Sequence, residues 1–345
     1  MTEETVYSTF IGTANHGFGQ HAQEEIRRLF EAGTRFSHLV PSEIFLFMVP
    51  AGRQEATQRL LDREPMFLRH MQPVDAELEW DGTVEALGGF AAQKRELELQ
   101  AGTKFAVQVR KTEQVGSGIA AGACKQAIDE ALAGRYEAIP VVKDADVILS
   151  VFLTEDTAYV GVSKPEQNLS DWSGGAIRFR KEEGQVSRAK FKLLEAERTF
   201  GLDYSQYRSA LDIGAAPGGW TSLLLERGVK VTAVDPAKLD ASLLRHPQLT
   251  FLQKNAAEVR FKEQSFDLLV CDMSWSPRQM GKLIKGLLYS LQSGGTAIIT
   301  LKLMHKKPFQ TVRELTGDLA PELALQKAKQ LFHNREELTL FFIKS

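Results

Sequence analysis

The stretch Asp212-Ile213-Gly214-Ala215-Ala216-Pro217-Gly218-Gly219-Trp220 reads as a buried strand end that turns sharply into a helix. Ala210, Leu211 and Ile213 supply the apolar strand, and the run from Trp220 to Arg227 supplies the helix. Small residues between them let the backbone approach a ligand at the strand end. Working outward, a helix is expected over 187–200, before this strand. Strands follow at 229–234, 249–253, 266–271 and 296–301, with helices at 277–291 and 309–319 and a closing pair of strands near 324–331 and 338–343. Five buried strands with crossovers and a closing pair predict a doubly wound, mostly parallel α/β sheet with an antiparallel last strand.

The preceding residues read differently. Strand, helix, strand, helix, strand over 5–74 predicts a small ferredoxin-like α+β unit, with Glu43 to Val49 as its most apolar strand and a helix over 81–93 leading out of it. Alternation at Phe105, Val107 and Val109, and again over 147–153 and 158–162, predicts a second α+β unit. The segment from Lys164 to Gly175, rich in Pro, Asn, Ser and Gly, reads as a linker. The expected domains are therefore 1–90, 91–175 and 176–345.

At 345 residues, 43% hydrophobic and 25% charged, the composition is that of a soluble globular protein. No apolar run reaches the roughly 18 residues a bilayer span needs. The acids Glu3 and Glu4 stand where a secretory signal would carry basic residues, so a cytoplasmic location is expected and no membrane partner. Two distant cysteines, Cys124 and Cys271, form no CxxC pair, which argues against a disulfide framework and against a metal site. A net charge of −2 excludes a polycation. Nucleic acid could then be held only by local patches. Two stand out: Arg178, Arg180, Lys181, Arg188, Lys190 and Lys192, and Lys302, Lys306 and Lys307.

Ligands of such sheets bind beyond the carboxyl ends of the strands. Gly214, Gly218 and Gly219 do not have the spacing of a dinucleotide fingerprint, so a pyrophosphate cradle is not expected. Asp235 closes the next strand, where an acid suits the two hydroxyls of an adenosine ribose. A glycine turn with a ribose acid and no phosphate cradle suits S-adenosylmethionine. The candidate cofactor residues are Asp212, Gly214, Ala216, Pro217, Gly218, Gly219, Trp220 and Asp235.

The motif from Asp212 to Trp220, preceded by Ser187-Arg188-Ala189-Lys190-Phe191-Lys192-Leu193, resembles the FtsJ-like ribose 2′-O-methyltransferases. The run Leu301-Lys302-Leu303 and the ending Leu331-Phe332-His333-Asn334-Arg335-Glu336-Glu337-Leu338-Thr339 are most similar to the RlmM branch of that family. The resemblance covers 187–345. It implies a Rossmann-like class I methyltransferase domain using S-adenosylmethionine, with RNA as substrate, in particular 23S rRNA or a large-subunit precursor. Residues 1–175 resemble the ferredoxin-like and THUMP domains that precede some RNA-modifying enzymes.

A ribose hydroxyl needs a base to become a nucleophile, and a lysine serves once desolvation and a neighbouring cation lower its pKa. The resemblance implies a Lys-Asp-Lys-Glu tetrad of Lys192, Asp272, Lys302 and Glu337, with Glu336 as the alternative fourth member. In it Lys302 is the general base, Lys192 the second cation, Asp272 the acid that holds the lysines, and Glu337 the acid that orients Lys302 or the hydroxyl. Asn255 stands where relatives often carry an acid near the adenine; the resemblance adds it and Asp272 to the candidate cofactor residues. Trp275 is open between stacking on a base and core packing. Alternatives on the same fold are an RNA base methyltransferase and a non-catalytic RNA-binding protein. The first lacks its motif, since Asp272-Met273-Ser274-Trp275 is not an Asn/Asp-Pro-Pro-aromatic run and Cys271 should point away from the site.

Overall fold

A computed structural model of the chain describes residues 6–30, 32–93, 99–116, 118–181, 183–303 and 307–345. The chain separates into two compact units, Met1–Ala176 and Ile177–Ser345.

Unit 1 begins with β1 (Ser8–Thr13), α1 (Gly19–Phe30), β2 (Arg35–Val40), β3 (Ile44–Val49), α2 (Arg53–Arg63) and β4 (His70–Pro73). The strands lie in the order β2-β3-β1-β4, all pairs antiparallel, which is the ferredoxin-like arrangement. Sequence periodicity misses β2 because it is an edge strand whose side chains are mostly exposed or half-buried. Strand β4, the last of the alternation expected over 5–74, starts only at His70. The backbone N–H groups of Met66 and Phe67 instead donate to the Glu25 carboxylate of α1, at 2.7 and 2.8 Å.

A second sheet follows, of β5 (Ala76–Glu79), β6 (Lys104–Lys111), β7 (Ile139–Pro140), β8 (Val147–Leu153) and β9 (Thr157–Ser163), in the order β5-β9-β8-β6-β7. Helices α3 (Val84–Gln93) and α4 (Ala121–Tyr136) belong to it. Phe105, Val107, Leu149, Val151 and Val160 form its core with Cys124, Ile128 and Leu132 of α4. Strand β5 pairs with β9, so this sheet draws in residues upstream of position 90. Arg110 of β6 ties the two sheets together. Its guanidinium donates to Thr13 Oγ1 and Gln72 Oε1, each at 2.8 Å. Arg69 donates to the Asn15 side chain and, at 3.0 Å, to the Gly174 carbonyl. His70 lies fully buried beside them, and among the described residues neither ring nitrogen has a hydrogen-bond partner.

Unit 2 contains α5 (Lys190–Phe200), β10 (Ser209–Ile213), α6 (Gly219–Glu226), β11 (Lys230–Val234), β12 (Leu249–Leu252), β13 (Phe266–Cys271), α7 (Pro277–Leu287), β14 (Leu291–Lys302), α8 (Pro308–Leu319), β15 (Leu323–Lys329) and β16 (Glu337–Lys344). The sheet order is β12-β11-β10-β13-β14-β16-β15. The first five strands are parallel, and β16 runs antiparallel between β14 and β15. This is the doubly wound sheet with an antiparallel last strand that the sequence predicts. Buried residues of β10, β11 and β13, among them Ala210, Val231, Ala233, Leu268 and Val270, pack with Leu193 and Ala196 of α5 and Leu223 and Leu224 of α6. Helix α7 starts on Pro277 behind the capping hydroxyl of Ser276 and ends earlier than expected, because Leu288–Ser290 tightens into a 3-10 turn that feeds β14. Among the described residues no helix is long and apolar enough to cross a membrane.

Candidate active site

Parallel strands deliver their last residues to one edge of the sheet, and in unit 2 three neighbouring strands bring an aspartate there. Asp212 is near the end of β10, Asp235 follows β11 and Asp272 follows β13. Asp212 is buried and accepts a 2.6 Å hydrogen bond from the Thr221 hydroxyl of α6. Burial pushes its carboxyl up to about 7 against that bond, and repulsion from Asp272 and Asp235 adds to the rise. Asp235 is half-buried and accepts from the N–H groups of Ala216 and Ala237, at 3.0 and 2.8 Å. It thereby ties the glycine turn to the end of β11 and keeps further acceptor lone pairs. Asn255 is exposed, and its side-chain oxygen accepts from Ala257 N–H at 3.1 Å, capping a 3-10 turn.

The glycines of the turn serve the protein's own packing first. Gly214 has φ +75°, and a Cβ there would collide with the Met273 side chain. Gly218 has φ +118°, and its Cβ would strike Leu243. The expected reason for a small residue at Gly218, room for a ligand, is thus corrected: the space belongs to Leu243. Trp220 is buried with its indole N–H on the Ala189 carbonyl at 2.9 Å, so its ring packs against the start of α5 and only its backbone faces the turn. Thr221 and Met273 were not singled out from the sequence. The signal for Thr221 was its place one turn into the helix after the motif, where a hydroxyl reaches back to the strand-end acid.

Of the four residues expected to form a tetrad, Lys192, Asp272 and Glu337 meet, and Lys302 lies across from Glu337 in strand register. Lys192 of α5 places its Nζ 3.1 and 3.3 Å from the Asp272 oxygens and 3.3 Å from Glu337 Oε1. The three side chains are only 16–20% exposed. Glu337 opens β16 directly opposite Lys302, the last residue of β14. Its second oxygen accepts from Arg335 N–H at 3.1 Å. Glu336 is exposed, and its carbonyl holds Leu303 N–H at 2.8 Å, so Glu337 is the acid brought to Lys192. Asp272 and Glu337 both grip Lys192. Lys302 is half-buried, and among the described residues its ammonium has no ion pair or hydrogen bond. Cys271 is buried behind Asp272, and burial, then Asp272 and Asp212, push its thiol well up, so it is no nucleophile.

The basic residues divide. Arg178, Arg180, Lys181, Arg188 and Lys307 are exposed. Lys190, expected on the nucleic-acid surface, is instead 4% exposed and paired with Glu226 of α6 at 2.8 Å, because it is the first residue of α5 and turns inward. Lys306 and His305 lie outside the described residues. His333 is half-buried between Phe179 and Phe191, with ring centroids 5.6 and 5.3 Å away, and burial lowers its pKa. Trp275, three residues beyond Asp272, is 38% exposed and therefore not a core residue.

Residues 185–327 match the FtsJ-like methyltransferase family, a stretch that holds Lys192, Asp272 and Lys302 and stops before Glu337. Over 201 residues the chain is 35% identical to the ribosomal RNA large subunit methyltransferase M of Psychromonas ingrahamii, covering 55% of this chain and 54% of that protein. It is 33% identical over 204 residues to the protein of the same name from Methylococcus capsulatus, covering 55% and 56%. With that of Laribacter hongkongensis it shares 33% over 218 residues, covering 59% and 60%. The chain thus spans little more than half the length of the curated relatives it matches.

Proposed function

We propose that the chain is an S-adenosylmethionine-dependent methyltransferase that modifies a ribose 2′-hydroxyl of large-subunit ribosomal RNA, with Lys302 as general base. The observation that carries this reading is the charge pattern at the strand ends: three aspartates gathered around a glycine turn, and beside them one lysine locked to acids and one that has no partner among the described residues. The acids suit a ligand that brings positive charge, as a sulfonium does. They do not suit a dinucleotide's pyrophosphate. Asp235 would hold the adenosine ribose, the backbone of Gly214 to Ala216 would line the turn against it, Asn255 would face the adenine, and Asp272 would approach the methionine end. When bound, the cofactor supplies an electrophilic methyl group.

The chain's own residues do the rest. Lys192 is fixed by Asp272 and Glu337, and it would orient the ribose as a cation. Lys302, opposite Glu337 but with no ion pair among the described residues, is the lysine that would take the hydroxyl proton. The exposed Arg178, Arg180, Lys181, Arg188 and Lys307 would meet phosphates. Unit 1, with its ferredoxin-like sheet and a THUMP-like segment, would capture structured RNA, in a cytoplasmic protein that needs no metal for the transfer. Mapping 2′-O-methylation across ribosomal RNA in cells with and without the protein tests the reading. One large-subunit position should lose its methyl group and regain it on complementation by the wild type but not by Lys302→Ala. An unchanged map, or a lost base methylation, would reject it.

A further inference from the structure

We propose that Glu195 is a positioning residue of the active site, holding the turn before β16 so that Glu337 meets Lys192. This inference rests on the function proposed above.

Glu195 lies three residues after Lys192 on α5, on the adjoining part of the same helix face. It is 2% exposed, and its two carboxylate oxygens accept from the backbone N–H groups of Phe332 and His333, at 2.7 and 2.9 Å. A buried carboxylate that takes two backbone donors is a strong and directional clamp. The turn it grips leads straight into Glu337. Asn334 Oδ1 accepts from Leu331 N–H at 2.8 Å and from the Thr339 hydroxyl at 3.1 Å, closing the turn on itself. Arg335 N–H reaches Glu337 Oε2, and Leu303 N–H reaches the Glu336 carbonyl, so the turn is also tied to the end of β14. Helix α5 therefore makes two attachments to the same segment. Lys192 takes the Glu337 side chain, and Glu195 takes the backbone five and four residues before it. Without the second attachment, the first would have to fix the turn alone, and a displacement of about 1 Å at a reacting site costs as much as 100-fold in rate.

Glu195→Gln keeps the shape and one acceptor but sets an amide donor against an N–H. In the full-length protein we expect the single-turnover rate on ribosomal RNA to fall about 10- to 100-fold, with RNA KM and S-adenosylmethionine affinity within about twofold of wild type. Amide exchange at Phe332 and His333 should accelerate about tenfold or more, while β10 and β13 keep wild-type protection. The deciding comparison is with Glu337→Gln. If Glu195 acts through Glu337, the double variant is no slower than Glu337→Gln alone, whereas independent roles multiply. Multiplied losses, an unchanged rate, or amides that stay protected in Glu195→Gln would each overturn the inference. Were the wild type to transfer no methyl group to any RNA, the proposed function would fall, and the exchange measurement would still decide whether Glu195 holds the turn.

Discussion

Unit 1 gathers cations where unit 2 gathers acids, and in each gathering burial pushes one member toward its neutral form. In unit 1 the member is His70. Burial, then Arg110 and Arg69, hold its imidazole well below the usual value, and the same crowding lowers Arg110 to about 10. In unit 2 it is Asp212, raised to about 7 by burial, with Asp272 and Asp235 adding to the rise. The surroundings differ. Arg110 spends its donors on neutral oxygens of Thr13 and Gln72 and joins two sheets. The acids of unit 2 stand at strand ends, Asp235 and Asp272 partly open, beside a lysine that only partly neutralises them. Like charges closed in by neutral partners make a joint, and like charges left at an open edge make a site for an ion of opposite sign.

The hardest test of that contrast removes the cation outside the acidic group. Lys302→Ala should lower methyl transfer by about 1000-fold or more, while calorimetry shows S-adenosylmethionine affinity within about twofold of wild type. Lys302→Arg should be nearly as inactive, because guanidinium keeps its proton. Substantial turnover by the arginine variant would reduce Lys302 to an electrostatic anchor. Next in size, Asp235→Ala should weaken cofactor binding by about 1.5–3 kcal/mol, through lost charge-assisted hydrogen bonds and a loosened Ala216 turn. Unchanged affinity would remove Asp235 from the site.

Acid should move the two units in opposite directions. His70 has a depressed folded pKa, so its contribution is present above about 6.5 and is lost as pH falls below that value. Asp212 has a raised folded pKa, so its contribution is fully present below about 4 and is lost as pH rises through about 7. Each slope is at most about 1.4 kcal/mol per pH unit. Amide exchange followed between pH 4.5 and 7, corrected for intrinsic rates, should show unit 1 loosening and unit 2 tightening on acidification. His70→Leu should flatten the first trend and Asp212→Asn the second; parallel trends in both units would break the contrast. The smallest effect concerns the ligand. S-adenosylmethionine should bind a few-fold tighter as pH rises through about 7, because ionised Asp212 favours a cation. S-adenosylhomocysteine, which lacks the sulfonium charge, should respond less, and Asp212→Asn should erase the difference.

The sequence made the working edge of unit 2 legible because strand alternation and parallel topology together decide where a strand-end residue goes. Asp235 follows from that rule with no knowledge of contacts, and the rule agrees with the places of Asp272 and Lys302 that the family resemblance implies. What was not legible depends on partners distant in the chain. Lys190 reads as one more exposed cation until Glu226 meets it across α6. Gly218 reads as room for a ligand until Leu243 fills the space. The short edge strands β2 and β5 carry too little apolar pattern to announce themselves, and their place is fixed by the neighbours they pair with. The joint around Arg110 joins residues of β1, β4 and β6, which no local window contains.

Strand β16 is the last of unit 2 in chain order, yet it lies inside the sheet, paired with β14 on one side and β15 on the other. During synthesis the parallel strands β10 to β14 can pair as they emerge, while β15 has no neighbour until β16 arrives. Glu337 is the first residue of that late strand, so Lys192 stays without one of its two acids until the sheet is closed. Completion of the fold and completion of the charge arrangement are therefore one event. A nascent chain stalled before β16 would display an unfilled β14 edge, open to pairing with another strand, and would lack the second carboxylate on Lys192.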